Sequence, residues 1–176
     1  MTAATSQPEA VTPARPGNLT RRPVAADDEE FLLQVYSSTR ADEMALVNWS
    51  DAEKDLFLRT QLRAQKADYD ARFPDAAHEI VLLDGQRVGQ IWIGRSADEI
   101  CLLDIALLPQ FRCLGVGTAL VKELQDEAAR LGKTMRHCVY KPNQSALRFY
   151  LRLGFVLAGD VGMYHVMEWT PENPSS

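Results

Sequence analysis

The chain has 176 residues, 46% of them hydrophobic and 8% aromatic, which suits one globular domain around one core. Its 24 Asp and Glu outnumber 19 Lys and Arg for a formal charge of -5. That balance argues against binding nucleic acid or an anionic membrane through a general basic surface, and favours a small, separately held substrate. No stretch nears the roughly 18–20 apolar residues that span a bilayer, and the N-terminus lacks a basic-then-apolar leader pattern, so a cytoplasmic protein is expected.

Residues 1–17 hold only Val11 as a large aliphatic and are rich in Ala, Thr and Pro. With almost nothing to bury, they are expected to form a disordered tail. The folded domain is expected over residues 18–171, followed by a short tail at 172–176. A strand is predicted at 19–25, and then the acidic run Asp27, Asp28, Glu29, Glu30 suits the first turn of a helix carrying Phe31, Leu32, Val35 and Tyr36. Such a run reads as a solvated face, with attraction of a cationic substrate as the alternative. Ser50, with Glu53 as its capping-box partner, opens a second helix whose apolar positions are Leu56, Phe57 and Leu62, and Pro74 ends it after about Phe73.

Three antiparallel strands follow at 78–83, 87–95 and 100–108, the first pair joined by the turn dipeptide Asp84-Gly85. The third strand is almost continuously apolar, the mark of a central strand covered on both faces, and Asp104 interrupts it. Val121, Leu124, Ala128 and Leu131 then recur at helical spacing until Gly132, and a strand resumes at 134–140. This crossover makes the strands at 100–108 and 134–140 parallel. A last helix runs from near Asn143 to Gly154, and strands at 155–158 and 163–169 close the chain as a hairpin through 159–162. Cys101, Cys113 and Cys138 are odd in number and outside any CxxC pair, so neither a disulfide nor a metal is expected.

The chemistry-bearing junction is Leu107-Leu108-Pro109-Gln110-Phe111-Arg112-Cys113-Leu114-Gly115-Val116-Gly117-Thr118, where a buried strand breaks and feeds a helix through two glycines. The first N–H groups of a helix lack intrahelical partners and carry the positive end of its dipole, so this is a site for a phosphate or pyrophosphate. It lacks Gly-Lys-Ser/Thr at the P-loop spacing and the three-glycine dinucleotide pattern. Beyond the next strand, Asn143 and Tyr150 lie seven residues apart, on one helix face two turns apart, and can reach along one extended ligand. On spacing alone Tyr150 is equally a core aromatic, and Asn143 equally a helix N-cap.

The loop with Asn143, Tyr150 and Gly154-Phe155 resembles the GCN5-related N-acetyltransferase (GNAT) superfamily, over residues 19–169 in element order and 100–155 in motif detail. The resemblance implies an α/β fold with a mixed, mostly antiparallel central sheet flanked by about four helices. It also implies an acetyl-CoA-dependent N-acetyltransferase that moves the acetyl group to a primary amine by direct attack. The backbone of Ala106 and Leu107 would pair with the pantetheine arm, the N–H groups of Cys113, Leu114, Gly115, Val116, Gly117 and Thr118 with Arg112 would hold the pyrophosphate, and Asn143 would contact the cofactor arm. Tyr150 would sit near the thioester sulfur as the acid for the departing thiolate, and the N-terminal helices would wall the acceptor, a small-molecule or peptide amine. A homodimer is common among such relatives.

Two positions depart from the pattern. Cys113 and Leu114 stand where small or basic residues are usual, leaving Arg112 as the loop's charge, and Cys138 stands where some relatives carry a glutamate base. Asp104 is then the candidate base, against a purely structural role, with Asp42 and Glu43 as second candidates. A non-catalytic acyl-CoA-binding module and a transferase with a different acyl-CoA donor are the alternatives.

Overall fold

The computed structural model describes residues 17–171. The expected tails therefore lie outside the described residues, apart from Gly17. Seven strands form one sheet in the order β1-β2-β3-β4-β5-β7-β6. They are β1 (Leu19–Pro23), β2 (Ala77–Leu83), β3 (Gln86–Arg95), β4 (Glu99–Leu107), β5 (Thr134–Tyr140), β6 (Val156–Val161) and β7 (Tyr164–Trp169). All neighbours are antiparallel except β4 and β5, the parallel pair that the crossover predicts. Five helices flank the sheet: α1 (Glu29–Thr39), α2 (Ala41–Ala45), α3 (Asp51–Arg72), α4 (Val116–Leu131) and α5 (Gln144–Arg152). The unexpected one is α2, a five-residue turn too short to show a period.

Local chemistry explains most boundaries. Asp84 and Gly85 both take positive φ, 50° and 80°, the conformation of a two-residue hairpin turn. Ser50 accepts from the Glu53 N–H while the Glu53 carboxylate returns to the Ser50 N–H, the predicted capping box. Gly132 closes α4 in the left-handed region. The closing hairpin departs from expectation: β6 runs on to Val161, so the turn is Gly162-Met163 and not 159–162.

The main core lies between the sheet and α4 and α5, where Ile91, Ile93, Ile100, Leu102, Leu124, Met135 and Val139 pack with Phe155. A second cluster on the opposite face joins Phe31, Leu32 and Val35 of α1 to Ile80, Ala106 and Leu108. Leu56 and Leu131, expected on buried stripes, are exposed, and Leu58 and Leu120 are buried in those helices instead.

The acidic run is not a solvated face throughout. Asp28 is fully buried in a 3-10 turn before α1, gripped by both terminal nitrogens of Arg22 at 2.6 and 2.8 Å, by Arg87 at 3.1 Å and by the Ala25 N–H at 2.9 Å. The Arg22 guanidinium holds this carboxyl far below the usual range against the opposing effect of burial. Glu29 and Glu30 pair instead with Arg63 and Arg59 of α3. The run thus ties α1 to the sheet and to α3.

Candidate active site

The parallel pairing of β4 with β5 covers only Glu99–Leu102 against residues 134–137. Beyond Leu102 and His137 the strands part, and the β4 edge from Leu103 to Leu107 loses its β5 partner. The Leu108 N–H bonds the Val88 carbonyl on β3 at 2.9 Å. Because successive strand residues point their N–H and C=O to opposite edges, Leu107 turns both toward the gap. Its carbonyl receives Arg112 Nε at 2.9 Å, and Arg112 reaches on to the Ser38 hydroxyl at 3.0 Å. Arg112 therefore bridges the open edge of β4 to the end of α1.

After β4 a 3-10 turn (Pro109–Phe111) leads into a loop where Cys113 and Gly115 take φ of 60° and 81°. Gly115 is the N-cap of α4 with no side-chain cap, and the first helical bond is Ala119 N–H to the Gly115 carbonyl. Among the described residues, no hydrogen bond uses the N–H of Cys113, Leu114, Gly115, Val116, Gly117 or Thr118. Such a run at a helix N-terminus is an anion cradle. A Cβ on Gly117 would meet Phe149 at 3.6 Å and Leu107 at 4.0 Å, ordinary contacts. Packing does not require glycine there, and its absent side chain leaves the cradle open.

Asn143 caps α5, its Oδ1 accepting the Ala146 N–H at 3.0 Å, which leaves the side-chain amide nitrogen exposed. Tyr150 is 2% exposed, packed against His137, Phe149 and Phe155 with ring centroids 4.3, 5.0 and 5.4 Å away. Asn143 is thus a helix cap and Tyr150 a buried aromatic of the core. No hydrogen bond involves the Tyr150 hydroxyl among the described residues, yet no fully buried side-chain polar atom is left without a partner. The hydroxyl therefore opens onto accessible space. Burial first, and then the Asp104 charge, push its pKa well above the usual tyrosine value.

Asp104 is turned by a bulge that periodicity did not disclose. Trp92 pairs with Asp104 and the next residue, Ile93, with Leu102, so Leu103 is an extra residue in β4. Without it, Asp104 would follow Ile100 and Leu102 into the α4 face. With it, Asp104 shares the α1 face with Ala106, and Ile105 returns to the α4 core. The half-buried carboxylate accepts from Gln90 Nε2 at 3.1 Å, and Gln90 Oε1 lies 3.0 Å from His78 Nε2. Burial pushes Asp104 up to about 6. A cavity of about 320 Å³ between α1, α3 and the sheet ends at His78, Gln90 and Trp92, so Gln90 separates it from Asp104.

His137 stands in β5 with no motif around it in the sequence. It sits at the fork itself, Nδ1 2.6 Å from the Leu102 carbonyl, and burial depresses it to about 4, so it is neutral near pH 7. The side chains of Asp42 and Glu43 lie on α2, and Glu43 is held by Arg40 at 3.0 Å. Cys101, Cys113 and Cys138 are free thiols, and no group of three metal-binding side chains occurs among the described residues. No described helix is long and apolar enough to cross a membrane.

A mixed sheet forked at its only parallel pair, with an uncapped helix N-terminus beside the fork, defines the acyl-CoA N-acyltransferase fold. The family described as Acetyltransferase (GNAT) family matches residues 34–155, and the chain belongs to it. Similar solved structures include the PaiA N-acetyltransferase from Thermoplasma acidophilum in complex with coenzyme A, 20% identical, with 88% of this chain and 99% of that one covered and a TM-score of 0.66. Another is the histone acetyltransferase HPA2 and related acetyltransferase from Corynebacterium glutamicum, at 18% identity, 90% and 99% coverage and a TM-score of 0.61. Ard1 from Thermoplasma volcanium aligns at 21% identity, 88% and 99% coverage and a TM-score of 0.58. Comparison with curated proteins gave no match.

Proposed function

We propose that this acetyltransferase takes the acetyl group from acetyl-CoA and transfers it to a primary amine by direct attack. The observation that carries the reading is the run of partnerless N–H groups from Cys113 to Thr118 beside an open strand edge. The complex of the Thermoplasma acidophilum relative with coenzyme A supports the donor class. When bound, acetyl-CoA supplies an activated thioester.

The roles follow from position. The six N–H groups hold the pyrophosphate, with Gly117 leaving room for it, and Arg112 is the cation within reach. The β4 edge at Leu107 pairs with the pantetheine arm, and Asn143 lends its free amide nitrogen; Ala106, expected to share that role, turns its N–H and C=O to β3 instead. The Leu107 N–H, facing the gap, stabilises the oxyanion as the amine attacks. Tyr150, kept protonated by burial, donates to the departing sulfur. Asp104, ionised above about pH 6, accepts the proton the amine loses, directly or through water.

The test is release of free thiol from acetyl-CoA in the presence of primary amines. Tyr150→Phe is expected to lower kcat by about 100-fold or more, the scale of one positioned acid, with little change in the KM for acetyl-CoA. A Phe variant at the wild-type rate would remove Tyr150 from the chemistry. Donor binding without thiol release for any amine would favour a non-catalytic acyl-CoA-binding module.

A further inference from the structure

Asp104 does not face the gap alone. Met135, His137 and Val139 of β5 are buried toward α4 and α5, so Arg136, Cys138 and Tyr140 point to the other face, the one the bulge gives to Asp104. Tyr140 pairs in register with Tyr164 of β7, their ring centroids 5.6 Å apart, and each is 47% exposed. On the near side, Tyr69 of α3 stands edge-on to Trp92 at 5.3 Å, with its hydroxyl 3.4 Å from the Leu103 carbonyl. Burial, then Asp104, then more weakly Tyr164 raise the pKa of Tyr69, which puts it within electrostatic reach of both banks. Asp104 and the two aromatic pairs thus share one face of the sheet on either side of the fork.

Most carboxylates around it are ion-paired. Glu43 pairs with Arg40, Asp68 with Arg72, Asp160 with Lys141 and His165, and Glu99 and Glu168 with Arg136. Arg40 is close enough to lower Asp104 by its charge. Arg136 serves two carboxylates and Asp42 has no ion pair among the described residues, so charge alone does not select the acceptor. The exposed flat apolar surface does.

We infer that the acceptor is an amine on a flat apolar body, an arylalkylamine, with its amino group at Asp104 and its ring against Tyr140 and Tyr164. This rests on the transferase reading above. The step balances without a further reactant: the thioester C–S bond breaks, a C–N bond forms, the amine proton leaves toward Asp104, and the thiolate gains a proton.

The experiment compares kcat/KM for 2-phenylethylamine, butylamine and 1,4-diaminobutane, with acetyl-CoA as donor. The wild type is set beside Tyr140→Ala, Tyr164→Ala and Asp42→Asn; both rings are exposed, so their removal leaves the core intact. Phenylethylamine is expected to exceed each alkyl amine by about tenfold or more, the scale of an aromatic contact with its buried area. Either Tyr variant should collapse that ratio toward one, and Asp42→Asn should leave it unchanged. A preference for the diamine that Asp42→Asn abolishes, or a ratio indifferent to both tyrosines, overturns the inference while acetyl transfer itself stands. Failure of acetyl-CoA to bind at all overturns this inference and the transferase reading together.

Discussion

Asp104 owes its position to a single extra residue, Leu103, and its protonation to burial. An aspartate is near 3.9 in an unfolded chain and about 6 here, so the folded state binds its proton more tightly. The stability this contributes is present below about pH 4 and is lost as pH rises through 6. Asp104→Asn is therefore expected to be more stable than wild type at pH 8, by about 1–2 kcal/mol, with the difference vanishing at pH 4. Urea unfolding at the two pH values checks this, and equal destabilisation at both would contradict it. In the proposed role, wild-type kcat/KM falls as pH drops through 6, and the Asn variant loses that limb. The candidate itself was legible in the sequence, as the only carboxylate in an apolar strand. Its face was not, because one inserted residue in a nearly continuous apolar run leaves the alternation unreadable. For the same reason His137 and Gln90, which meet their partners across strands, left no local signal.

Elements with a strong period or a cap were read closely. The N-terminus of α3 follows from Ser50 and Glu53, the end of α4 from Gly132, and the crossover from the order of strand and helix. α2 escaped because five residues carry no period. The start of α1 was placed correctly but misjudged in burial: Asp28 meets Arg22 six residues away and Arg87 59 residues away, and the second pairing exists only once β3 is in place. A buried carboxylate with four polar contacts is costly to disturb, since an amide in its place buries N–H donors that face two guanidinium groups and a backbone N–H. Asp28→Asn is expected to cost about 3 kcal/mol in chemical denaturation, whereas Glu30→Gln, at the exposed end of the same run, should be close to neutral. Equal small effects would contradict the view that this acid anchors α1.

At the scale of the molecule, the sheet supplies the site by failing to pair. β4 and β5 stay together through Leu102 and His137 and then separate, and the α4 N-terminus lies against the opening. The membership in the GNAT family and the α/β architecture agree with the sequence-based expectation, while the residues at which β4 and β5 part, Leu102 and His137, and the aromatic pairs came only with the register.

The most direct test is thermal unfolding with and without acetyl-CoA, in wild type and Gly117→Glu. The substitution suits the apo fold, because its Cβ makes only ordinary contacts with Phe149 and Leu107 and a carboxylate favours a helix N-terminus, but it sets a negative charge in the first turn beside the phosphate cradle. At about 100 times its dissociation constant the ligand should stabilise wild type by about 2.7 kcal/mol, and the variant, folded with an unchanged apo midpoint, should lose that gain. No gain in wild type up to millimolar acetyl-CoA, or an equal gain in the variant, would contradict the assignment of this loop as the donor site.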